Sequence, residues 1–564
     1  MKQSIGNFLL RRLQEVGVRH IFGVPGDYSL ALMQQLEDRG EPAWIGNCNE
    51  LNASYATDAY ARINGMGALI VTYGVGSLSA INGIAGAYSE HVPVICICGS
   101  IPLRATQRGD LMHHTLADRE KGNFCRMFAE VTAAQAQLTP ENAVTEIDRL
   151  ILTAWRRKLP VYLELPSDIS YLEIEVPDCP IKLEMIPSDI ENLKTCTEVI
   201  LERLNAAKAP AFLLDMDASR FGVSGLVMAL ADRFQMRVAT LNCAKGSVPE
   251  NSARFVGTYA GIGSSPATRE AIEGSDCLLT VGYRRIESTT GFFTDKLPAS
   301  AIHLNSSYVN TADKNYQAVY MAELLRSIVD SSSGIATKKQ PARPSKQVTF
   351  APSDDPLTQD AYWKAVQNFL RPGDVIVVED GTSSAGFGRL TLPDDCTHIS
   401  GAFVWCSIGY ATGALLGAIL ATPGRRHILL TGEGSLQMTA QEISTVMRHD
   451  LKPFIFVNQN SGYTVERAVL GKDAKYNDIA NWRYSELPNV FSRETKAETY
   501  VVRTSNELQE VLDSPHSGMV FVECVMDKYD APLDLILGGH AIADTDYGPR
   551  GPQSAVNAQI ALPK

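Results

Sequence analysis

The sequence predicts an α/β protein built from three doubly wound, mostly parallel-sheet domains. Short apolar runs of buried-strand type alternate with stretches of helical period along most of the chain. Such alternation builds parallel sheets covered by helices on both faces. Several runs end in glycine-bearing turns, at Pro25-Gly26-Asp27, Thr72-Tyr73-Gly74-Val75-Gly76 and Gly432-Glu433-Gly434. Strand ends of this kind are where open α/β sheets place their ligands. A length of 564 residues suggests about three or four domains.

Taken in order, Ser4 caps a helix whose apolar face is Ile5, Leu9, Leu13 and Val16. Val18 to Val24 reads as a strand, followed by strands at Ala68 to Thr72, Val92 to Cys98 and Pro160 to Leu165, with helices such as Ser77 to Ser89 between them. These form a first domain, 1–180, closed by a weaker boundary near Pro177 to Pro187. A central domain, 190–335, repeats the pattern with strands at Ala211 to Leu214, Arg237 to Leu241, Cys277 to Val281 and Ala301 to Leu304. Its Gly261-Ile262-Gly263 lacks the lysine of a P-loop, and no catalytic cluster surrounds it. Residues 331–356 read as a linker, with Ser331-Ser332-Ser333-Gly334, Lys338-Lys339 and several prolines. The third domain, 357–545, holds strands at Asp374 to Val378 and Met519 to Met526, a small-residue helix at Ala411 to Ala421, and a terminal helix at Asp530 to Ile542. Residues 547–564 form a tail with little pattern.

The third domain is organised around Gly432 to Glu466. An apolar run, Ile428-Leu429-Leu430, precedes a glycine turn. Ile443, Val446 and Met447 then follow helical spacing, and Pro453-Phe454-Ile455-Phe456-Val457 leads into a polar loop from Asn458 to Glu466. This is one parallel βαβ unit. Its turn at Gly434-Ser435 opens a helix N-terminus, where free N–H groups and the dipole favour phosphate. The loop lands at the neighbouring strand's carboxyl end, so Glu433 and Asn460 meet over one site. A carboxylate, an amide oxygen and a backbone carbonyl are the oxygen donors Mg²⁺ takes. The first domain offers Asp27 at a strand end, Glu50 in Asn49-Glu50-Leu51-Asn52, Thr72 before Gly74-Val75-Gly76, and the pair His113-His114. Each has a plain explanation when taken singly: a turn former, a solvated helix residue, a weak glycine signal, loop histidines.

Together these stretches resemble the thiamine-diphosphate (ThDP)-dependent 2-keto acid decarboxylases, a family that includes pyruvate, indolepyruvate, phenylpyruvate and branched-chain keto acid decarboxylases. Gly432-Glu433-Gly434 with Asn460 resembles the family's diphosphate–Mg²⁺ motif, with Glu433 where the family has Asp. Gly462-Tyr463-Thr464-Val465-Glu466 and His113-His114 resemble the decarboxylases more narrowly, since acetohydroxyacid synthases lack the histidine pair. The resemblance covers residues 1 to about 530 and implies the following roles. Asp27, Glu50, His113, His114 and Glu466 are catalytic, Glu50 by hydrogen-bonding the aminopyrimidine and the others by handling protons. Thr72, Asp380, Thr382, Ile408, Gly434 and Ser435 bind the cofactor, with Ile408 wedged beneath it. Glu433, Asn460 and the Gly462 carbonyl hold Mg²⁺. Ser384, Ala385 and Val465 line the substrate pocket, and the small Ala385 and Val465 imply a branched or aromatic 2-keto acid. The family also implies self-association as a dimer or dimer of dimers.

Composition narrows the alternatives. A net charge of −12 and a pI near 5.4 argue against a nucleic-acid or anionic-membrane surface. The 11 cysteines form no Cys-x-x-Cys, and are expected to be reduced, buried thiols of a cytoplasmic protein. No secretory leader or membrane-spanning run is read. Two other readings stay open: a ThDP-dependent carboligase or acetolactate-type synthase, and a catalytically impaired assembly homologue, which Glu433 alone supports. A nicotinamide dehydrogenase is poorer, because neither glycine cluster makes the full dinucleotide fingerprint.

Overall fold

A computed structural model gives the fold and describes residues 1–336, 348–548 and 552. Part of the expected linker (337–347) and most of the expected tail lie outside the described residues. The chain divides into two compact units. One comprises Met1–Ile186, Gly409–Arg425 and Thr439–Leu451, and the other comprises Pro187–Ile408, Arg426–Met438 and the described residues from Lys452 onward.

The first unit is built on a six-stranded, all-parallel sheet. From edge to edge its strands are Ala43–Gly46, His20–Gly23, Gly67–Thr72, Val94–Ser100, Val161–Pro166 and Gln135–Gln137. The Ile5–Glu15 helix is capped by the Ser4 hydroxyl, which accepts from the Asn7 N–H. It buries Ile5, Leu9 and Leu13 against Ile21, Ile70, Ile97 and Leu163 of the sheet. The chain leaves His20–Gly23 first to one side and then to the other. The strand order therefore reverses between His20–Gly23 and Gly67–Thr72, and a crevice opens at their carboxyl ends. Asp27 and Thr72 stand at those two ends.

The second unit holds two sheets. The central one is mixed: Phe255–Thr258, Arg237–Thr240, Pro210–Leu214, Cys277–Val281 and Ile302–Leu304 are parallel, while Tyr308–Asn310 and Asn315–Gln317 add an antiparallel hairpin. The other is again six-stranded and all parallel, in the order Thr397–Ser400, Val375–Val378, His427–Gly432, Phe454–Gln459, Val520–Val525, Glu498–Val502. All of Val375–Val378 is buried, as expected of a strand covered on both faces. Here too the order reverses, between Val375–Val378 and His427–Gly432. Asp380 and Glu433 follow those two strand ends.

Several expectations need correction. The helix after His427–Gly432 starts at Glu433 itself, so Gly434 and Ser435 lie inside its first turn. It is also not continuous. An α-helix over Glu433–Thr439 gives way to a 3₁₀ turn at Ala440–Glu442 and a second helix at Ile443–Arg448. The break coincides with a change of packing, because Glu442 lies in the first unit, where its carboxylate accepts from Asn47 Nδ2 (2.8 Å) and Cys48 N (3.1 Å). The terminal helix runs Leu533–Tyr547, past the expected end. All 11 cysteines are free, but Cys48, Cys179 and Cys406 are exposed rather than buried. Among the described residues no helix is long and apolar enough to cross a membrane.

One packing contact fixes the helix that begins with Glu50. The Tyr410–Ala421 helix lies against Glu50–Asn64 so closely that a methyl added at Gly417 would sit 1.9 Å from the Ala56 carbonyl oxygen. The Tyr410 hydroxyl donates to Asp58 Oδ1 at 2.5 Å on the same face. Gly417→Ala must force the backbones apart, at a cost of about 1–3 kcal/mol. A lowered urea midpoint is expected for the ThDP-free protein, and an unchanged midpoint would show that the two helices separate freely.

Candidate active site

In the first unit, Asp27 opens a single 3₁₀ turn, Asp27–Ser29, immediately after its strand. Glu50 is the first residue of its helix, whose N-cap Asn49 accepts from the Asn52 N–H at 2.8 Å. Close approach makes this region tight. A methyl at Gly76 would lie 3.1 Å from Glu50 Oε1 and 3.2 Å from Thr72 Cγ2, and one at Gly26 would lie 2.4 Å from Thr72 Cβ. Burial raises the Glu50 carboxyl above the usual carboxylate range. The Thr72 hydroxyl is buried and has no hydrogen-bond partner among the described residues.

The histidine pair comes to the same strand ends. His113 Nε2 lies 2.7 Å from Asp27 Oδ2, and His114 Nε2 lies 3.8 Å from Asp27 Oδ1. The backbone reaches this position through a positive φ of 59° at His114. It also rests on Gly74, at φ 67°, where a methyl would lie 2.1 Å from the His114 carbonyl oxygen. Tyr28, which the sequence did not single out, stacks on His113. Asp27, Glu50, Thr72, His113 and His114 thus all belong to the first unit.

The second unit gathers the rest. Glu433 is 1% exposed, and its Oε1 accepts the backbone N–H groups of Gly462 (2.9 Å) and Asn460 (3.1 Å). Burial lifts its carboxyl to about 7 despite those donors. The Asn460 amide nitrogen donates to the Gly462 carbonyl at 2.9 Å and to Glu433 Oε1 at 3.3 Å, and its oxygen accepts from the Thr464 hydroxyl at 3.1 Å. Glu433, Asn460 and Gly462 therefore form one hydrogen-bonded cluster, in which the Asn460 amide nitrogen meets the Glu433 and Gly462 oxygens. Gly462 is at φ 136°, with its missing side chain replaced by the Asn477 carbonyl oxygen, 2.0 Å from where a Cβ would stand. Gly434 lies beneath the Tyr463 ring, 2.7 Å from its Cβ position, and Ser435 is buried beside it. Arg467, also buried, donates to Ser461 O at 2.7 Å and Asp478 Oδ1 at 2.8 Å, tying the loop shut.

Asp380 follows the Val375–Val378 strand. Its Oδ1 accepts from Gly381 N at 2.7 Å and from Ser384 Oγ at 3.3 Å. Thr382, Ser384 and Ala385 lie on the short Thr382–Phe387 helix, with Thr382 and Ser384 buried. Val465 Cγ2 lies 3.4 Å from the Cβ position of Gly381. Glu466 is the third residue of the Thr464–Val469 helix, in its first turn. Its carboxyl is raised, first by desolvation and then by the carboxylates of Asp380 and Asp546. Burial likewise raises Asp380. Ile408 precedes Gly409 in a loop bent by positive φ at Phe403, Cys406 and Gly409. No sequence pattern pointed to Arg467 or Tyr28, because their partners lie on separate loops.

Comparison with known proteins finds likeness along nearly the whole chain. The chain matches the thiamine pyrophosphate enzyme N-terminal TPP binding domain over residues 3–120, the central domain over 197–328 and the C-terminal TPP binding domain over 381–524. It is 39% identical to a pyruvate decarboxylase of Aspergillus terreus over 558 residues, spanning 96% of this chain and 97% of that protein. It is 37% identical to a pyruvate decarboxylase of Candida glabrata and 37% identical to pyruvate decarboxylase isozyme 1 of Saccharomyces cerevisiae, in both cases over 94% of this chain and 97% of the relative. With likeness running through all three domains and nearly the full length of each relative, the chain belongs to the thiamine-diphosphate-dependent 2-keto acid decarboxylase family.

Proposed function

We propose that this protein converts a branched or aromatic 2-keto acid to an aldehyde and CO₂, using ThDP and Mg²⁺. The observation that carries the decarboxylase reading is the Asp27–His113 contact at 2.7 Å with His114 at 3.8 Å from the same carboxylate. Mixed acids and bases on one spot suit a reaction that must both give and take protons. ThDP supplies the electron sink that protein side chains lack. The residues fit that group. The buried, partnerless Thr72 hydroxyl and the Glu50 carboxyl suit a polar heterocycle. The Glu433 carboxylate and the Gly462 carbonyl suit a hard dication, which Asn460 would join with its amide turned to present the oxygen. Gly434 and Ser435, in the first turn of a helix, suit a diphosphate. In this reading Glu50 holds the aminopyrimidine, Asp380 and Thr382 bind the cofactor, and Ile408 supports it from below. Asp27, His113, His114 and Glu466 handle protons at the reacting carbon. The free thiols support a reducing, cytoplasmic setting.

The role of Glu50 is tested by Glu50→Gln, which should keep the fold and lose activity about 10²–10⁴-fold. Self-association belongs to the same reading. Mixing inactive Glu50→Gln with inactive Glu466→Gln chains should restore activity if one copy supplies Glu50 and the other Glu466. Absence of rescue after proven subunit exchange counts against it.

Glu433→Ala should abolish cation-dependent ThDP retention, while Glu433→Asp should bind Mg²⁺ and ThDP at least as tightly as the parent. Calorimetry with Mg²⁺, Mn²⁺ and Ca²⁺ reads this directly. Retention by Glu433→Ala equal to the parent's removes Glu433 from the ligand set.

The substrate preference rests on Ala385 and Val465 with Ser384. Small side chains there leave room, and each further buried methylene is worth about 0.8 kcal/mol. Pyruvate is the second reading, favoured by the names of the relatives. We expect a higher kcat/KM for 2-ketoisovalerate or phenylpyruvate than for pyruvate, and the reverse order would establish pyruvate.

A further inference from the structure

Tyr28 is almost fully buried, at 5% exposure, and lies directly after Asp27 in the turn Asp27–Ser29. Its ring stacks on the His113 imidazole, with centroids 4.7 Å apart and planes 19° from parallel. Its hydroxyl reaches two atoms of that residue: the ring Nδ1 at 3.2 Å and the backbone carbonyl oxygen at 3.3 Å. The other ring nitrogen, Nε2, faces Asp27 Oδ2 at 2.7 Å. The loop around His113 is held independently of Tyr28. Lys121 Nζ donates to Asp110 O at 2.8 Å, closing the loop, and the Tyr73 hydroxyl donates to Lys121 O at 2.7 Å.

We infer that Tyr28 is a positioning residue for His113, fixing its tautomer and keeping both of its charge states hydrogen-bonded. The inference rests on the reading of His113 as a proton handler. A neutral imidazole has one donor and one acceptor nitrogen, and the partner of one nitrogen decides the role of the other. An ionised Asp27 only accepts, so Nε2 must carry the hydrogen and Nδ1 must accept. Tyr28 is the donor at Nδ1, and burial together with the Asp27 charge pushes its phenol up to about 12, so it keeps its proton at neutral pH. When His113 takes a second proton, Nδ1–H becomes a donor. The phenol oxygen then accepts from it, and the phenolic hydrogen turns to the His113 carbonyl. Nothing heavier than a hydrogen moves. The proton that separates the two charge states therefore sits on Nδ1, beside the phenol oxygen, while the Nε2 hydrogen stays directed at Asp27 and the ring plane is unchanged.

The test uses ¹⁵N-histidine NMR of the full-length, substrate-free protein, with the His113 signal assigned by its loss in His113→Gln. The expected result for the parent is one neutral tautomer, protonated at Nε2. Tyr28→Phe keeps the stacked ring and removes both hydrogen bonds. It should show both tautomers and lower kcat about tenfold, the scale of one lost hydrogen bond, with KM and ThDP affinity changed less than about twofold. Tyr28→Leu also removes the stack and measures its share. A parent His113 protonated at Nδ1 overturns the inference without any variant, and so does a Tyr28→Phe protein that keeps the single tautomer and the parental kcat. The tautomer is read without turnover. If no 2-keto acid is decarboxylated by the parent, the functional reading fails while the Tyr28–His113 result still stands or falls separately.

Discussion

A carboxylate taken out of water shapes the strand ends and loops of the second unit's parallel sheet. Glu433 is 1% exposed and is met by two backbone N–H groups from the loop after the next strand. Everything about that loop follows from bringing those groups in. Gly462 adopts a backbone conformation open to glycine, Tyr463 covers Gly434, and Arg467 gathers the carbonyls that face away. Two neutral donors do not fully compensate a buried charge, so the carboxyl sits at about 7. The sign of the consequence is definite. A carboxyl raised above its unfolded value favours folding while protonated, and that contribution is lost as pH rises toward 7. Above it, the folded chain carries an uncompensated charge, which a dication among the same oxygens would offset.

The first unit solves a related problem by different means. Its sheet and the last sheet of the second unit share one plan, in which the first strand of each is flanked by the second and the third. Both sheets therefore open a crevice at the carboxyl ends of strands one and three. One crevice presents Asp27, Thr72 and the histidines. The other presents Asp380 and Glu433. The first is polar and partly solvated, with Asp27 and His113 about half exposed. The second is buried and built of carboxyls and glycines. The two crevices thus differ in solvation more than in residue type.

Strand positions were legible in the sequence because parallel strands are buried on both faces and read as unbroken apolar runs, such as Val375–Val378 and Cys277–Val281. The Ser4 cap was legible for an equally local reason. The antiparallel hairpin at Tyr308–Asn310 and Asn315–Gln317 was not, since three-residue strands with one apolar position each carry no period. The helix break at Thr439 was also invisible, because it is set by where Glu442 finds donors, Asn47 and Cys48, almost four hundred positions away in the chain. The site followed the same rule. Residues in glycine-marked turns could be singled out, but Arg467 and Tyr28 are defined by contacts with distant backbone.

Asp380 and Glu466 are two desolvated carboxyls of the second unit. Val465 packs against Gly381, so the two carboxyl-bearing segments are neighbours. Both carboxyls are desolvated, Glu466 feels the charges of Asp380 and Asp546, and each is raised. Asp380 is the more tightly committed of the two, with Gly381 N–H and the Ser384 hydroxyl on one oxygen. Those donors favour its charged form and work against its burial. A like charge in a poorly solvated place disfavours ionisation of its neighbour, so the charge at 380 adds to the desolvation that holds the Glu466 carboxyl above the usual range.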